Sequence, residues 1–115
     1  MRRGEIWEVD LEPTRGSEAS KRRPAVIVSN NAANAVVERL RRGTITVVPL
    51  TSNVRNVRKF QVMLPAARTK LRLNSKAQAE QVRALAFERF GRRMGTVPTD
   101  LMAAIDDALR IQLDL

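Results

Sequence analysis

The segment EIWEVDL, residues 5–11, alternates between apolar and polar positions. Trp7, Val9 and Leu11 fall on one face, while Ile6 shares the other face with two carboxylates. This period of two residues is typical of a half-buried strand. We therefore expect a strand whose apolar face places Trp7, the only tryptophan, in the core. Tyrosine is absent as well, so the chain has few aromatic rings on which a planar ligand could stack, and its ligands would be recognised mainly by hydrogen bonds.

A polar stretch without hydrophobic period separates this strand from the next one. Residues 12–23, EPTRGSEASKRR, contain proline, glycine and small polar residues, which predicts a long mobile loop. PAVIVS, residues 24–29, is continuously apolar and β-branched, which is typical of a strand covered on both faces, with the proline tolerated because it comes first. Three consecutive cations therefore stand directly before a buried strand: Lys21, Arg22 and Arg23.

Two segments have the period of an amphipathic helix. The first begins at a cap, Asn30 or Asn31, and ends at Gly43, with its apolar stripe at Ala33, Val36, Val37 and Leu40. The second, residues 98–115, starts with Pro-Thr-Asp and has its apolar stripe at Leu101, Ile105, Ala108, Leu109 and Gln112 or Leu113. This C-terminal stripe can pack on the rest of the domain or form a two-fold interface, and we take core packing as the default.

The middle of the chain predicts further short strands. TITVVPL, residues 44–50, is β-branched, and FQVML, residues 60–64, alternates after the polar turn TSNVRNVRK. LNSKAQAEQVRAL, residues 73–85, is ambiguous, and we expect a strand followed by a short turn. Short strands with few helices predict a single α+β domain over residues 1–115, built as a small curled sheet or barrel with two appended helices.

Composition narrows the possible chemistry. The 115 residues include neither cysteine nor histidine, which removes disulfides, thiolate chemistry, cysteine-based zinc sites and the usual general base. The net charge is +9, and residues 46–95 carry eleven cations against two anions, which favours a polyanionic partner. No apolar run is long enough to span a membrane and no signal peptide is visible, so we expect a cytoplasmic protein without a membrane partner.

Four signatures occur in order along the chain: RGEIWEVDLEPTRGSE, RRPAVIVSN, TVVPLTS and KAQAEQVRAL. Together they resemble the MazF/PemK family of toxin endoribonucleases from bacterial toxin–antitoxin pairs. The resemblance implies an SH3-like β-barrel of the CcdB/PemK type that acts as a homodimer in the cytoplasm. It also implies cleavage of single-stranded RNA at short sequences without a metal ion or other cofactor, and inhibition by a cognate antitoxin with an acidic tail.

The resemblance assigns catalytic roles to Arg23, in the RP pair, and to Thr51, after the TVVPL strand. RNA can be cut without a metal if its 2′-hydroxyl attacks the neighbouring phosphorus, and the protein must then stabilise the additional negative charge. A guanidinium at the start of a stiff strand can bind two phosphate oxygens, and Pro24 restricts Arg23 to an extended backbone. The alternatives are that Arg23 only solvates a strand end and that Thr51 is an ordinary turn residue.

Other polar residues complete the predicted site. Glu18 corresponds to a glutamate near the RNA in the family, and it either accepts a proton or holds a neighbouring arginine in place. Candidate RNA-binding groups in the loop and after the third strand are Arg15, Ser17, Lys21, Arg22 and Ser52. Candidate groups for contacts with base edges, or for scaffolding, are Gln78, Glu80, Gln81 and Arg83. Each of these charges can also be a simple surface charge.

Two other functions remain open from the sequence. One is a non-catalytic toxin of the same barrel type that binds a protein target such as gyrase. The other is a basic RNA-binding barrel without turnover. Arg23 and Thr51 favour the nuclease over both, and incubation of the purified protein with RNA separates the three functions.

Overall fold

The computed structural model describes residues 1–11 and 22–115. The strands are β1 (Glu5–Asp10), β2 (Arg22–Ile27), β3 (Thr44–Thr51), β4 (Gln61–Leu64), β5 (Ser75–Gln78), β6 (Arg83–Ala86) and β7 (Phe90–Thr96). The helices are α1 (Asn31–Leu40), the single turn α2 (Ala66–Thr69) and α3 (Thr99–Leu113), and two 3-10 turns cover Ala79–Gln81 and Phe87–Arg89. The expected mainly β, α+β architecture is therefore confirmed.

The seven strands form one antiparallel sheet with the order β4-β5-β3-β2-β1-β7, in which β6 also pairs with β3. Strand β3 is the centre of this arrangement because it pairs with β2 on one edge and with β6 and then β5 on the other. Its N-terminal half meets β6 and its last two residues meet β5. Along this edge, β3 therefore changes its pairing partner from β6 to β5 shortly before it ends at Thr51.

Both faces of β2 and β3 are buried, as the continuous apolar run predicts. Val26 and Val48, a directly opposed pair, enter a core beneath α3 that includes Ile105. Ile27 and Val47, the next pair, enter a second core on the opposite face, next to α1. Burial on two sides leaves these strands little freedom to shift, because a slip of one residue would exchange the residues of the two cores.

The structure corrects two predictions near the first strand. Strand β2 begins at Arg22 and not at Pro24, because Arg22 and Arg23 pair with Asp10 and Val9 of β1, so these two arginines are not part of the predicted loop. Strand β1 is not half-buried in the expected way: Ile6, assigned to the polar face, is fully buried. The reason is that α3 and its core cover the face that the sequence pattern left to solvent.

Trp7 is half-buried and packs against the second core from its edge, so the predicted core position is only partly correct. Its indole N–H donates to Glu5 Oε1 at 3.0 Å, and its ring packs edge-on against Phe90 with the centroids 6.4 Å apart. The pairing of β1 with β7 shifts register on both sides of Trp7, which turns this part of the strand. The sequence pattern did not predict β7 or α2, and it assigned the start of β6 to a short turn. Leu85 of β6 enters the second core, whereas Met94 of β7 packs against the first.

Both predicted helices are present. The N-cap of α1 is Asn30, whose side chain accepts a hydrogen bond from the N–H of Ala33, and the chain leaves the helix through Arg41 in a left-handed conformation before Gly43. Helix α3 packs against β4 and the first 3-10 turn, so its apolar stripe contributes to the core as expected. Its buried stripe is Met102, Ile105 and Ala108, whereas Gln112 and Leu113 are exposed, so the predicted stripe ends one turn early.

A backbone contact holds the segment after α2 against β7. A Cβ added at Gly95 would lie 2.0 Å from the carbonyl oxygen of Thr69, so only glycine permits this approach. Arg68 of α2 donates two hydrogen bonds to Asp100 of α3, at 2.9 and 2.7 Å, and these bonds hold the pKa of that carboxyl below its ordinary value. Arg68 and Thr69 are thereby held between β7 and the start of α3.

We expect Gly95→Ala to lower the free energy of unfolding by about 1–3 kcal/mol, because the added methyl group must displace the Thr69 backbone. Urea denaturation followed by circular dichroism measures the change. Gly91→Ala on the same strand is the matched control and should cost less, since the nearest atom to its new Cβ is the flexible end of Arg22 at 3.1 Å. Equal stability of Gly95→Ala and the unmodified protein would contradict the close contact.

Candidate active site

Arg23 and Thr51 lie at the ends of neighbouring strands. In the pairing of β2 with β3, Ala25 is opposite Pro49, and two residues further along each strand come Arg23 and Thr51. Both residues line the same two cavities, so the structure brings the predicted catalytic arginine and threonine together. Arg23 is exposed and Thr51 is half-buried. The sheet therefore presents one charged and one neutral hydrogen-bond donor side by side, at the ends of two of its inner strands.

The hydroxyl of Thr51 already makes a local bond. Its oxygen accepts a hydrogen bond from the N–H of Asn53 at 3.2 Å, which is the turn role that the sequence left as an alternative. Accepting this bond uses a lone pair and not the hydroxyl hydrogen. Thr51 can therefore shape the turn and still donate to an anionic oxygen, so the two interpretations do not exclude one another.

The first cavity has a volume of about 450 Å³ and is called here the apolar cavity. Its lining is Arg22, Arg23, Pro24, Leu50, Thr51, Ser52, Leu71, Arg72, Leu73, Ser75 and Met94. Arg22 leans toward Glu8, with 3.8 Å between Nη1 and Oε1. Ser52, a predicted RNA-binding residue, is exposed at this cavity. The site thus has an apolar floor with cations and hydroxyls around it.

The second cavity has a volume of about 290 Å³ and is called here the polar cavity. Its lining is Leu11, Arg23, Pro49, Thr51, Gln78, Gln81 and Arg83. The predicted residues Gln78, Gln81 and Arg83 therefore meet at this cavity, although they come from β5, a 3-10 turn and β6. Among the described residues of both cavities there are four arginines and no carboxylate. An anionic ligand fits this charge distribution.

Glu80 does not join the polar cavity. Its Oε2 accepts a hydrogen bond from Gln61 Nε2 at 2.7 Å, and its Oε1 is buried without a hydrogen-bond partner in the described part of the chain. Gln61 is itself a residue of β4 that pairs with Gln78 of β5. Of the two roles left open for Glu80, this geometry favours the scaffold, because it links the 3-10 turn to the sheet.

Four predicted site residues, Arg15, Ser17, Glu18 and Lys21, lie outside the described residues. The residues that flank this segment are described, and both are at the site. Leu11 lines the polar cavity and Arg22 lines the apolar cavity.

The sequence pattern missed several residues of the site. Leu71, Arg72 and Leu73 lie in a connection without a period of two or of 3.6 residues, and Met94 lies in the strand that was not predicted. The fifth residue, Lys76, belongs to the KAQAEQ signature, but a lysine in a predicted strand gives no sign that it is buried. The first four residues line the apolar cavity together with Arg23, and strand pairing places Lys76 opposite Thr51.

Lys76 is 8 % exposed and is the cross-strand partner of Thr51. Its ammonium group donates a hydrogen bond to the carbonyl oxygen of Arg55 at 2.9 Å. Arg55 belongs to the turn between β3 and β4, which starts directly after Thr51. The lysine thereby holds this turn against the sheet beside the Arg23–Thr51 pair.

Residues 1–11 and 22–115 contain no group of three or more Asp, Glu, His or Cys side chains placed to hold a metal ion. None of the helices in these ranges has the length and apolar character needed to cross a membrane.

The fold defines the class of protein. The chain superimposes over its full length on the MazE–MazF complex of Deinococcus radiodurans, with a TM-score of 0.81, 26 % identity and 96 % of that chain covered. It superimposes equally completely on a mycobacterial endoribonuclease in complex with its cognate antitoxin, with a TM-score of 0.78, 26 % identity and 96 % of that chain covered. The small barrel of the CcdB/PemK type that the sequence predicted is therefore confirmed.

The sequence then identifies the family. Residues 2–113 match the family described as PemK-like, MazF-like toxin of type II toxin–antitoxin systems, and the chain belongs to this family. The endoribonuclease MazF9 of Mycobacterium tuberculosis (strain H37Rv) is 57 % identical to it over 115 residues, covering 100 % of this chain and 98 % of the relative. The resemblance found in the four sequence signatures is thus confirmed.

We expect Lys76→Met to free the turn between β3 and β4 without unfolding the sheet. The substitution keeps most of the side-chain volume and removes one hydrogen bond, so it should cost about 1 kcal/mol of stability. Amide hydrogen exchange should become faster at residues 53–59 and stay unchanged in β3. Lys70→Met, at an exposed lysine, is the control. Unchanged exchange at residues 53–59 would contradict an anchoring role of Lys76.

Proposed function

We propose that this toxin is an endoribonuclease that cuts single-stranded RNA at short sequences, without a metal ion, by attack of the 2′-hydroxyl on the adjacent phosphorus. The observation that carries the proposal is the placement of Arg23 and Thr51 together between two cavities that are rich in arginine. The names of the relatives support the proposal, since MazF9 and a structural neighbour are both endoribonucleases.

Charge stabilisation is the main catalytic contribution in this mechanism. Attack by the 2′-hydroxyl produces a five-coordinate phosphorus that carries more negative charge than the starting phosphodiester. The guanidinium of Arg23 is permanently charged and can bind two of the phosphorus-bound oxygens at once. Because Arg23 stands on a paired strand, little motion has to be lost when it binds the transition state. The products are a cyclic phosphate and a free 5′-hydroxyl.

Thr51 supplies a neutral donor at the same phosphorus. Its hydroxyl hydrogen can bond a non-bridging oxygen, while its oxygen keeps the bond from Asn53 that fixes its orientation. Proton transfer from the 2′-hydroxyl and to the leaving oxygen needs further groups, because histidine is absent from the chain. Glu18, which the family resemblance places near the RNA, is our candidate for the base.

Arg22, Ser52, Gln78, Gln81 and Arg83 bind the RNA in this proposal. The arginines and Ser52 contact phosphates and hold the strand in register, whereas the two glutamines contact base edges in the polar cavity. Arg15, Ser17 and Lys21 join the phosphate contacts from the segment between β1 and β2. The short RNA sequence that is cut depends on the contacts of the two glutamines with the base edges.

The toxin works in the bacterial cytoplasm as a homodimer, and a cognate antitoxin controls it. Two structural neighbours are described as complexes with an antitoxin or with MazE. An acidic antitoxin segment is attracted by the same cationic surface that binds RNA, since eleven cations and two anions lie between residues 46 and 95. The antitoxin therefore blocks cleavage by direct competition for the two cavities.

We expect an RNA oligonucleotide with a single 2′-deoxy sugar at the cut position to resist cleavage, because the attacking group is then missing. The same oligonucleotide with the 2′-deoxy sugar two positions away should be cut normally, and a chelator should leave the rate unchanged. Denaturing gels with end-labelled RNA measure all three. Normal cleavage of the first oligonucleotide would eliminate the proposed mechanism.

We expect Arg23→Ala to lower kcat by about 10²-fold or more and Thr51→Val by about tenfold, because a charged donor contributes more than a neutral one. Both residues lie at strand ends, so circular dichroism should show folded proteins. Arg42→Gln, at an exposed arginine that lines neither cavity, is the control and should keep the full rate. If both site variants cut RNA at the full rate, Arg23 and Thr51 are not the catalytic pair.

A further inference from the structure

The lining of the apolar cavity includes residues that are not needed to bind a phosphate at Arg23 and Thr51. Its floor includes two buried leucines, Leu50 and Leu71, and Met94 of β7 is half-buried at its side. Leu73, which also lines it, is 62 % exposed. The cavity can therefore take up a flat apolar group next to the phosphate site.

We propose that the apolar cavity is a nucleotide subsite that binds the base on one side of the scissile linkage, with Arg72 contacting the next phosphate. The inference rests on the proposed RNA cleavage and goes beyond it by assigning Leu71, Arg72, Leu73 and Met94 to substrate binding. A volume of about 450 Å³ lies within the range of pockets that enclose small ligands.

Connectivity of the RNA supports this assignment. A phosphodiester bound between Arg23 and Thr51 joins two nucleotides, and two cavities adjoin that pair of residues. One nucleotide therefore enters the polar cavity and the other enters the apolar cavity. Arg22, Arg23 and Arg72 stand around the apolar cavity, and no carboxylate is among its described lining residues, so a phosphate on either side of the base is favoured.

The two subsites differ in how they select a base. Gln78, Gln81 and Arg83 offer donors and acceptors that can distinguish one base edge from another. Leu71, Leu73 and Met94 offer apolar contact, which every base can use and which distinguishes bases of similar size only weakly. The position bound in the apolar cavity therefore requires a base but tolerates different bases.

The test uses Leu73→Ala and Arg72→Gln, two exposed positions where the fold should be unaffected, with thermal unfolding as the check on folding. The matched controls are Leu40→Ala, at a leucine 56 % exposed on α1, and Arg42→Gln, since neither control residue lines either cavity. The substrates are one RNA oligonucleotide that is cut once and two versions of it, each with an abasic ribose on one side of the cut.

In the unmodified protein, we expect the abasic ribose on one side to lower kcat/KM by about tenfold or more through loss of apolar contact. In Leu73→Ala this penalty should shrink severalfold at the same position and stay unchanged at the other. Arg72→Gln should lower kcat/KM on every substrate by a similar factor and weaken its salt dependence. The two controls should behave like the unmodified protein.

Three results would overturn the subsite. The first is cleavage by both variants at the full rate, and the second is an abasic penalty that Leu73→Ala leaves unchanged at both positions. The third is a loss of binding to the cognate antitoxin without any change in kcat/KM, which would assign the cavity to a protein partner. Each of these leaves the proposed function standing if cleavage still requires the 2′-hydroxyl, whereas cleavage of the 2′-deoxy substrate would reject the function itself.

Discussion

The pairing of β2 with β3 is the interaction on which the site depends. Val26 and Ile27 on one strand, with Val48 and Val47 opposite, are fully buried in two cores on opposite faces of the sheet. Because both faces are occupied, neither strand can slide or rotate without disrupting a core. The ends of these strands are consequently fixed in space, and there the chain places a guanidinium and a hydroxyl group. The packing of the apolar core thus determines where the two polar groups of the site lie.

The position of Arg23 at a strand end also limits two free-energy costs of binding a phosphate with a guanidinium. A guanidinium buried within the sheet would lose its hydration, whereas one on a mobile loop would lose conformational entropy each time it bound a phosphate. Arg23 avoids both costs because its backbone is paired with β1 while its side chain remains exposed. Lys76 differs from Arg23, because its side chain is almost buried and its ammonium group donates a hydrogen bond to a backbone carbonyl oxygen of the protein.

The elements that could be predicted are those whose hydrophobic period or capping residues lie within one short segment of the sequence. The doubly buried strand, the capped helix α1 and the C-terminal helix follow from periodicity and capping residues, and Arg23 and Thr51 follow from the family signatures. The strand β7 was missed because FGRRMGT has no alternation of apolar and polar residues. The apolar cavity was missed for a related reason: its walls come from segments far apart in sequence, and only the sheet order brings them together.

The contact between Gly95 and the Thr69 carbonyl has an evolutionary consequence. It holds the chain at Thr69 through main-chain atoms, so substitutions of the Arg72 and Leu73 side chains leave this contact in place. Arg23 and Thr51 belong to other strands and are untouched by such changes. The affinity of this site for RNA can therefore change by substitution at the apolar cavity, while the chemistry that we propose for Arg23 and Thr51 stays the same.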